Sequence, residues 1–193
     1  MQLVFATNNL NKLKEVQKLI PQHIKLLSLN DIGCFEEIPE TQTTIEGNAI
    51  QKAEYVKTHY GYDCFADDTG LEVDYLNGAP GVFSARYAGE QRDPNANMDM
   101  LLHNLYQVTN RAAQFKTVIA LQLNGEIHTF TGICKGEITE KKFGNQGFGY
   151  DPIFKPLGYN QTFAEMQLEL KNQISHRGKA LMKLICFIQE FPK

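Results

Sequence analysis

The chain has 193 residues, enough for one domain or two closely joined lobes, and about 70% of the unfolded surface can be buried at that size. Its 42% apolar and 21% charged residues are ordinary for a soluble globular protein, and 19 Lys+Arg against 22 Asp+Glu leave a net charge of −3. That balance argues against a protein that coats DNA or an anionic membrane, since both call for a basic excess; a small phosphorylated ligand needs only a few well-placed cations.

Leu3 to Ala6 reads as a short buried strand, and no run approaches the ~18 apolar residues of a bilayer span, so a cytoplasmic protein is expected. The polar loop from Thr7 to Asn9 leads into a helix with Leu13, Val16 and Ile20 on one face and Pro21 as its stop. Ile24 to Leu27 is a second strand. Thr43-Thr44-Ile45-Glu46 has the form of a capping box, opening a helix that carries Ile45, Ala49, Ala53 and Val56 and ends at Gly61. Cys64 to Ala66 is strand-like and runs into a polar loop, Asp67-Asp68-Thr69-Gly70.

Asp93-Pro94 opens another helix, Asp as N-cap and Pro at the first helical position, with Leu101, Leu102, Leu105 and Val108 inward. Phe115, Thr117, Ile119, Leu121 and Leu123 alternate up to Asn124-Gly125, which turns the chain into Ile127 to Ile133 as a hairpin. Ser175 caps a last helix bearing Leu181, Leu184, Ile185 and Ile188. Helices mixed with isolated strands and a hairpin predict an α/β fold with a mixed sheet, and no linker divides residues 1–193, so a single domain is expected. Cys34, Cys64, Cys134 and Cys186 have no C-x-x-C spacing and read as reduced, buried small hydrophobes.

Four segments can carry chemistry. Thr7-Asn8-Asn9-Leu10-Asn11-Lys12 lies where a strand meets a helix, so helix N–H groups and a mobile Lys12 would receive phosphate oxygens; a capping loop with a solvated lysine is the plainer alternative. The Asp67-Asp68 pair, at the end of a strand, points two carboxylates to opposite faces, which suits one for Mg²⁺ or general-base work and the other for capping. Gly147-Phe148-Gly149-Tyr150-Asp151-Pro152 places an aromatic between glycines, as for a stacked flat ligand, or simply as a plugged turn. Ser175-His176-Arg177, with Lys171 ahead of it, puts cations at a helix start against the dipole, a local inconsistency of the kind that collects at functional sites.

Taken in order, these segments resemble the inosine triphosphate pyrophosphatase family of XTP/dITP diphosphatases. The resemblance spans nearly the whole chain and also includes Glu40-Thr41, Asn48-Ala49-x-x-Lys52-Ala53, Ala66-Asp67-Asp68-Thr69-Gly70-Leu71, and Ala79-Pro80-Gly81-x-x-Ser84-Ala85-Arg86-Tyr87. It implies an elongated mixed sheet with flanking helices that form two lobes around a central cleft, a homodimer, and hydrolysis of ITP, dITP or XTP to monophosphate and pyrophosphate. It implies that the loop Thr7, Asn8, Asn9, Leu10, Asn11 and Lys12 holds the triphosphate together with Lys52. Glu40 and Asp68 would hold Mg²⁺, Asp68 would also accept the proton, and Thr69 would touch the nucleotide. Phe148, Gly149, Tyr150, Asp151, Lys171, His176 and Arg177 would surround the base. Beside a bound cation, Asp68 is expected to have a low pKa.

Three positions depart from the family pattern: Gln42 stands where Gly is common, Gly47 where a second acid is frequent, and Thr69 where Ser is more frequent, with the hydroxyl kept. The rival readings are a pyrophosphatase for pyrimidine or modified-base triphosphates, a non-catalytic purine-nucleotide sensor, and a nucleic-acid-binding module. The charge balance disfavours the last.

Overall fold

The computed structural model describes residues 1–190. Strand β1 (Gln2–Phe5) buries Leu3, Val4 and Phe5 completely. An unbroken apolar run of this kind belongs to a strand covered on both faces. It pairs in parallel with β2 (Lys25–Leu27) and with β3 (Cys64–Val73), and Phe5 and Phe65, paired in register, stack at 4.7 Å. Helix α1 (Leu10–Gln17) starts at Asn9, whose side chain accepts from the Asn11 and Lys12 backbone N–H groups. It stops short of the predicted Pro21. Ile20 lies beyond the helix, bonds back to Val16 and still packs against the core.

Helix α2 (Ile45–Tyr60) is capped by Thr44, whose hydroxyl accepts from the Gly47 N–H, and ends at Gly61 in the left-handed conformation. Glu46 therefore stands at the second helical position, and the expected box between Thr43 and Glu46 does not form. The buried stripe of α2 is Ile45, Asn48, Ala49, Lys52, Ala53 and Val56, helical spacing throughout, with two polar residues set among the apolar ones. Strand β3 corrects a larger expectation: it continues to Val73, so Asp67-Asp68-Thr69-Gly70 is strand rather than loop. Leu71 and Val73 are buried beyond the motif, and Leu71 pairs with Gly81 of the short antiparallel β4 (Pro80–Gly81).

Helix α3 (Pro94–Asn104) has Asp93 as its cap and Pro94 first, as expected. Strands β5 (Ala112–Leu123) and β6 (Glu126–Ile138) are joined by Asn124 and Gly125, both at positive φ, 52° and 88°. Strand β7 (Phe154–Pro156) pairs antiparallel with β6. Helix α4 (Leu168–Ile174) is followed by Ser175 in an extended conformation and then by α5 (His176–Glu190). Strands β4 and β7 and helix α4 escaped the sequence pattern because two to seven residues are too few to show a period.

The strand order is β2-β1-β3-β5-β6-β7, with β4 on β3, so the sheet is mixed and the fold α/β. Two compact units divide the chain. The first comprises Met1–Asp68, Thr117–Gly132 and the chain from Arg177 onward; the second comprises Thr69–Lys116 and Ile133–His176. The first has its own core of Leu3, Phe5, Val16, Phe65, Ile119, Leu121 and the α5 residues Leu181, Leu184, Ile185 and Ile188. The second has Leu71, Leu101, Leu105, Phe115, Ile138, Phe154 and Phe163. Among the described residues no helix is long and apolar enough to cross a membrane. Cys34, Cys64 and Cys134 are buried and unbridged, whereas Cys186 lies on the exposed face of α5, against expectation.

In the second unit, Gly136 of β6 opposes Pro156 of β7, and a Cβ there would come within 2.3 Å of the Lys155 carbonyl oxygen and 2.7 Å of the Phe154 ring. The contact is with backbone and with a buried ring, neither of which can yield cheaply. Gly136→Ala is expected to destabilise the protein by about 1–3 kcal/mol, seen in urea unfolding as a lower midpoint with an unchanged slope.

Candidate active site

The first unit assembles its polar residues around strand β3, where adjacent side chains face opposite ways. Asp67 is 1% exposed and accepts from Lys12 Nζ at 2.9 Å on one carboxylate oxygen and from Arg177 Nε at 3.0 Å on the other. Arg177 Nη1 in turn donates to Glu15 at 2.6 Å. Asp68 faces helix α2 instead. It accepts from Asn48 Nδ2 at 3.2 Å and lies 3.6 Å from Lys52 Nζ, which also donates to Glu40 at 2.5 Å. The two aspartates thus have separate partners, as the alternation of a strand demands, and Asp67 serves as a buried counter-ion to Lys12 and Arg177.

Their electrostatics diverge accordingly. Burial pushes the Asp67 carboxyl up, but Lys12, Arg177 and Lys52 together outweigh it and hold the group well below the usual carboxylate range. At Asp68 burial is the larger effect, Lys52 and Lys12 only partly offset it, and Glu40 adds to it, so this carboxyl is raised. The low pKa expected of Asp68 is therefore not a property of the chain by itself. Burial lowers Lys52, but Asp68, Glu40 and Asp67 more than restore it and leave it raised. Lys12 is lowered by burial, with Asp67 opposing and Lys52 and Arg177 reinforcing the shift.

The loop ahead of α1 is tied down by its own side chains. Thr7 Oγ1 accepts from the Asn9 N–H at 3.1 Å, and Asn9 Oδ1 from Asn11 and Lys12 at 3.0 and 3.1 Å. Asn8, Leu10 and Asn11 are exposed. Two expectations change here: Asn9 already takes two N–H groups of the helix start, and Lys12 is a paired cation rather than a mobile one. Glu40 is held indirectly. Thr41 bonds Gln51 through both its N–H and its hydroxyl, and the Gln42 N–H donates to Asn48 Oδ1 at 2.9 Å. Asn48 thereby fixes Asp68 and the Glu40 loop together.

Among the described residues no cluster of three or more His, Cys, Asp or Glu is arranged around a metal position. Glu40 and Asp68 nonetheless converge on one positive charge, the Lys52 ammonium. Two convergent carboxylates fit Mg²⁺, which takes one or two of them and completes its shell with phosphate oxygens and water.

In the second unit Asp151 is the organising group. Its Oδ2 accepts from Lys171 Nζ at 2.7 Å and from the Phe148 N–H at 2.7 Å, and it is 3% exposed. Lys171 stands 4.9 Å from the Phe148 ring and 5.7 Å from the Phe163 ring. His176 stacks on Phe115 with centroids 4.4 Å apart. Gly147 has φ 74°, and a Cβ there would lie 2.1 Å from the Asp151 carboxylate, so this glycine makes room for the turn's own acid rather than for a ligand. Tyr150 is buried and donates to the Ser84 carbonyl at 2.8 Å, which links this turn to the Pro80–Tyr87 motif; Ser84 itself accepts from the Leu71 N–H. Thr69 and Gly149 belong to this unit as well.

The structure thus brings together Lys12, Lys52, Glu40, Asp68 and the Thr7 loop in one unit, and Phe148, Asp151, Lys171 and His176 in the other. Arg177 belongs to the first unit, where it pairs with Asp67 and Glu15. Glu15, Asn48 and Phe163, to which the sequence assigns no role of their own, also contact these groups. The available signal was a polar residue on a buried helix face, clear for Asn48 beside Ala49 and weaker for Glu15 beside Val16.

Residues 3–187 match the Ham1 family. The dITP/XTP pyrophosphatase of Flavobacterium psychrophilum is 67% identical over 98% of this chain and 100% of its own length. That of Flavobacterium johnsoniae is 64% identical over 96% of each chain. The structure of the Staphylococcus aureus Ham1 protein superposes with a TM-score of 0.89 at 39% identity, covering 98% of both chains.

Two outcomes are expected of variants here. The Asp67 carboxyl is depressed in the folded state, so its contribution to stability is fully present above its unfolded value of about 3.9 and is lost as pH falls through the folded value. Asp67→Asn should cost about 3–5 kcal/mol at neutral pH, and urea unfolding from pH 7 to pH 3 should show the gap to the parent narrowing at the acid end; a constant gap would contradict the ion pairing. A Cβ on Gly47 would lie 2.8 Å from Gln42 Cβ and 2.9 Å from Thr44 Oγ1, so a side chain at position 47 and the one at Gln42 compete for one space. Gly47→Glu alone is expected to lower the urea midpoint by about 1–3 kcal/mol equivalent, and adding Gln42→Gly should restore most of it.

Proposed function

The chain belongs to the Ham1 family, and from that premise we propose that it hydrolyses dITP, ITP and XTP to the nucleoside monophosphate and pyrophosphate. The observation that carries the reading is the divergence of two adjacent carboxylates, one locked as a counter-ion and the other raised by burial beside two lysines. A pair whose environments push its members apart supports separate roles, Asp68 as the base and Asp67 as a counter-ion.

In this reading the attacking oxygen is that of water, its proton passes to Asp68, and the bond from the α-phosphorus to the bridging oxygen breaks. Lys12 and Lys52 bind the phosphate chain and stabilise the charge that develops on the departing pyrophosphate. A polyanion beside Lys12 also restores the charge that burial disfavours there. Glu40 and Asp68 would hold Mg²⁺, which when bound neutralises phosphate charge. The Thr7–Lys12 loop, already rigid through Thr7 and Asn9, presents a preformed edge to the phosphates.

The base falls to the second unit. Phe148 supplies a stacking face, and Lys171 and His176 supply donors suited to the C6 keto oxygen of hypoxanthine and xanthine, where adenine carries an amino donor. A site built on such pairing can reject the mismatched analogue by roughly 10⁴. In this reading the first unit's residues serve the triphosphate and the second unit's residues serve the base. The same resemblance supports a homodimer, and a substrate drawn from free nucleotides supports action in the cytoplasm.

Product analysis with Mg²⁺ and ITP, dITP, XTP, GTP, ATP and dTTP, assaying pyrophosphate and orthophosphate separately, tests the reading. Pyrophosphate from the first three is expected, and Asp68→Asn should reduce its formation at least about 100-fold, the usual scale of a lost general base. Orthophosphate would place the attack at the γ-phosphorus and overturn the mechanism, and tight ITP binding without turnover would favour the sensor instead.

A further inference from the structure

Glu15 is buried at 6% exposure on the first helix of the unit that holds Lys12. An ionised side chain is kept out of water only when it is paired, and its partner is Arg177, 162 residues away along the chain. The pairing does not end there. Arg177 Nε reaches one oxygen of Asp67 at 3.0 Å, and the other oxygen of the same carboxylate holds Lys12 Nζ at 2.9 Å. Four charges of alternating sign form one continuous chain, Glu15–Arg177–Asp67–Lys12. Its side chains are 8%, 4%, 1% and 14% exposed, so Lys12 is the most accessible of the four.

The order of the chain has a consequence for Lys12. An ammonium has three donors, and Asp67 engages it through its carboxylate at 2.9 Å and its backbone carbonyl at 3.5 Å. Where the ammonium points is therefore set by the Asp67 carboxylate plane. Arg177 holds the other oxygen of that carboxylate, and Glu15 holds Arg177. Without Glu15, Arg177 has a second nitrogen to satisfy in a buried place, and the carboxylate of Asp67 is the anion it already touches. A bidentate grip on Asp67 would draw that carboxylate away from Lys12.

We propose that Glu15 is a positioning residue for phosphate binding: by holding Arg177 it leaves one oxygen of Asp67 to aim the Lys12 ammonium. The inference rests on the reading of Lys12 as a phosphate ligand. Glu15 and Lys12 are three residues apart on one helix, so the helix that presents the cation also carries the acid that orients it.

The test is calorimetric titration of the full-length protein with inorganic pyrophosphate in the absence of divalent cation, which reads the lysine network without turnover. Glu15→Ala is expected to raise the dissociation constant about tenfold, as Lys12→Met does, and the double variant should be no more than about twofold weaker than Lys12→Met alone, because both act through one group. Glu15→Gln keeps an acceptor for Arg177 and should recover part of the loss, which also covers the case in which Glu15→Ala does not fold. A merely structural role would lower the binding stoichiometry and leave the dissociation constant unchanged. That result, a fully additive double variant, or a parent protein that does not bind pyrophosphate would each overturn the proposal. Failure of the nucleotide panel with the coupling intact would sink the catalytic reading alone.

Discussion

A carboxylate cannot be taken out of water at 1% exposure unless something nearby carries the opposite charge. At Asp67 that requirement is met twice, by Lys12 from the first helix and by Arg177 from the last. The consequence reaches far along the chain, since α1, β3 and the start of α5 must all arrive at one point for the strand to be buried at all. Such a network is weak evidence for stability by itself, because an apolar replacement of equal volume often does as well. What it supplies is geometry: a lysine held in one place at the mouth of a helix.

The neighbouring residue is treated in the opposite way. Asp68 sits beside Lys52 and Asn48 of α2, and burial dominates its surroundings, so its carboxyl is raised where that of Asp67 is depressed. One strand thereby produces two chemically distinct acids from two identical side chains. The pleat separates their faces, and the helices packed on those faces choose their partners. Helix α2 accomplishes this by placing Asn48 and Lys52 within its own buried stripe, a departure from amphipathic patterning whose reason appears only once Asp68 is in view.

The second unit repeats the device with different residues. Asp151, buried like Asp67, holds a buried lysine and a backbone N–H, and Gly147 leaves the space its carboxylate fills. The aromatic rings of Phe148 and Phe163 stand close to the same ammonium, so the lysine is fixed by a carboxylate and flanked by π-faces. In each unit a buried acid holds a lysine in place. Preorganisation of this kind lowers the reorganisation needed when charge arrives.

Much of the architecture is written in local patterns. Asp93-Pro94, Asn124-Gly125, Thr44 and Gly61 mark element ends because capping and turn geometry depend on neighbours a few residues away, and the apolar spacing of α2, β1 and α5 marks the faces they bury. The motif segments, including Thr7–Lys12 and Phe148–Asp151, were visible for the same reason. The partners of their charges were not. Whether Asp67 would cap a turn, whether Lys12 would be mobile, and whether Arg177 would stand with His176 or with Glu15 all depend on contacts spanning 55, 110 and 162 residues. The sequence by itself determined which elements form and which chemical groups they carry, because those follow from short-range periodicity and side-chain type. Only the tertiary structure decided which acid is depressed as a counter-ion and which is raised, because ionisation is set by burial and by the charges that folding brings within a few ångströms.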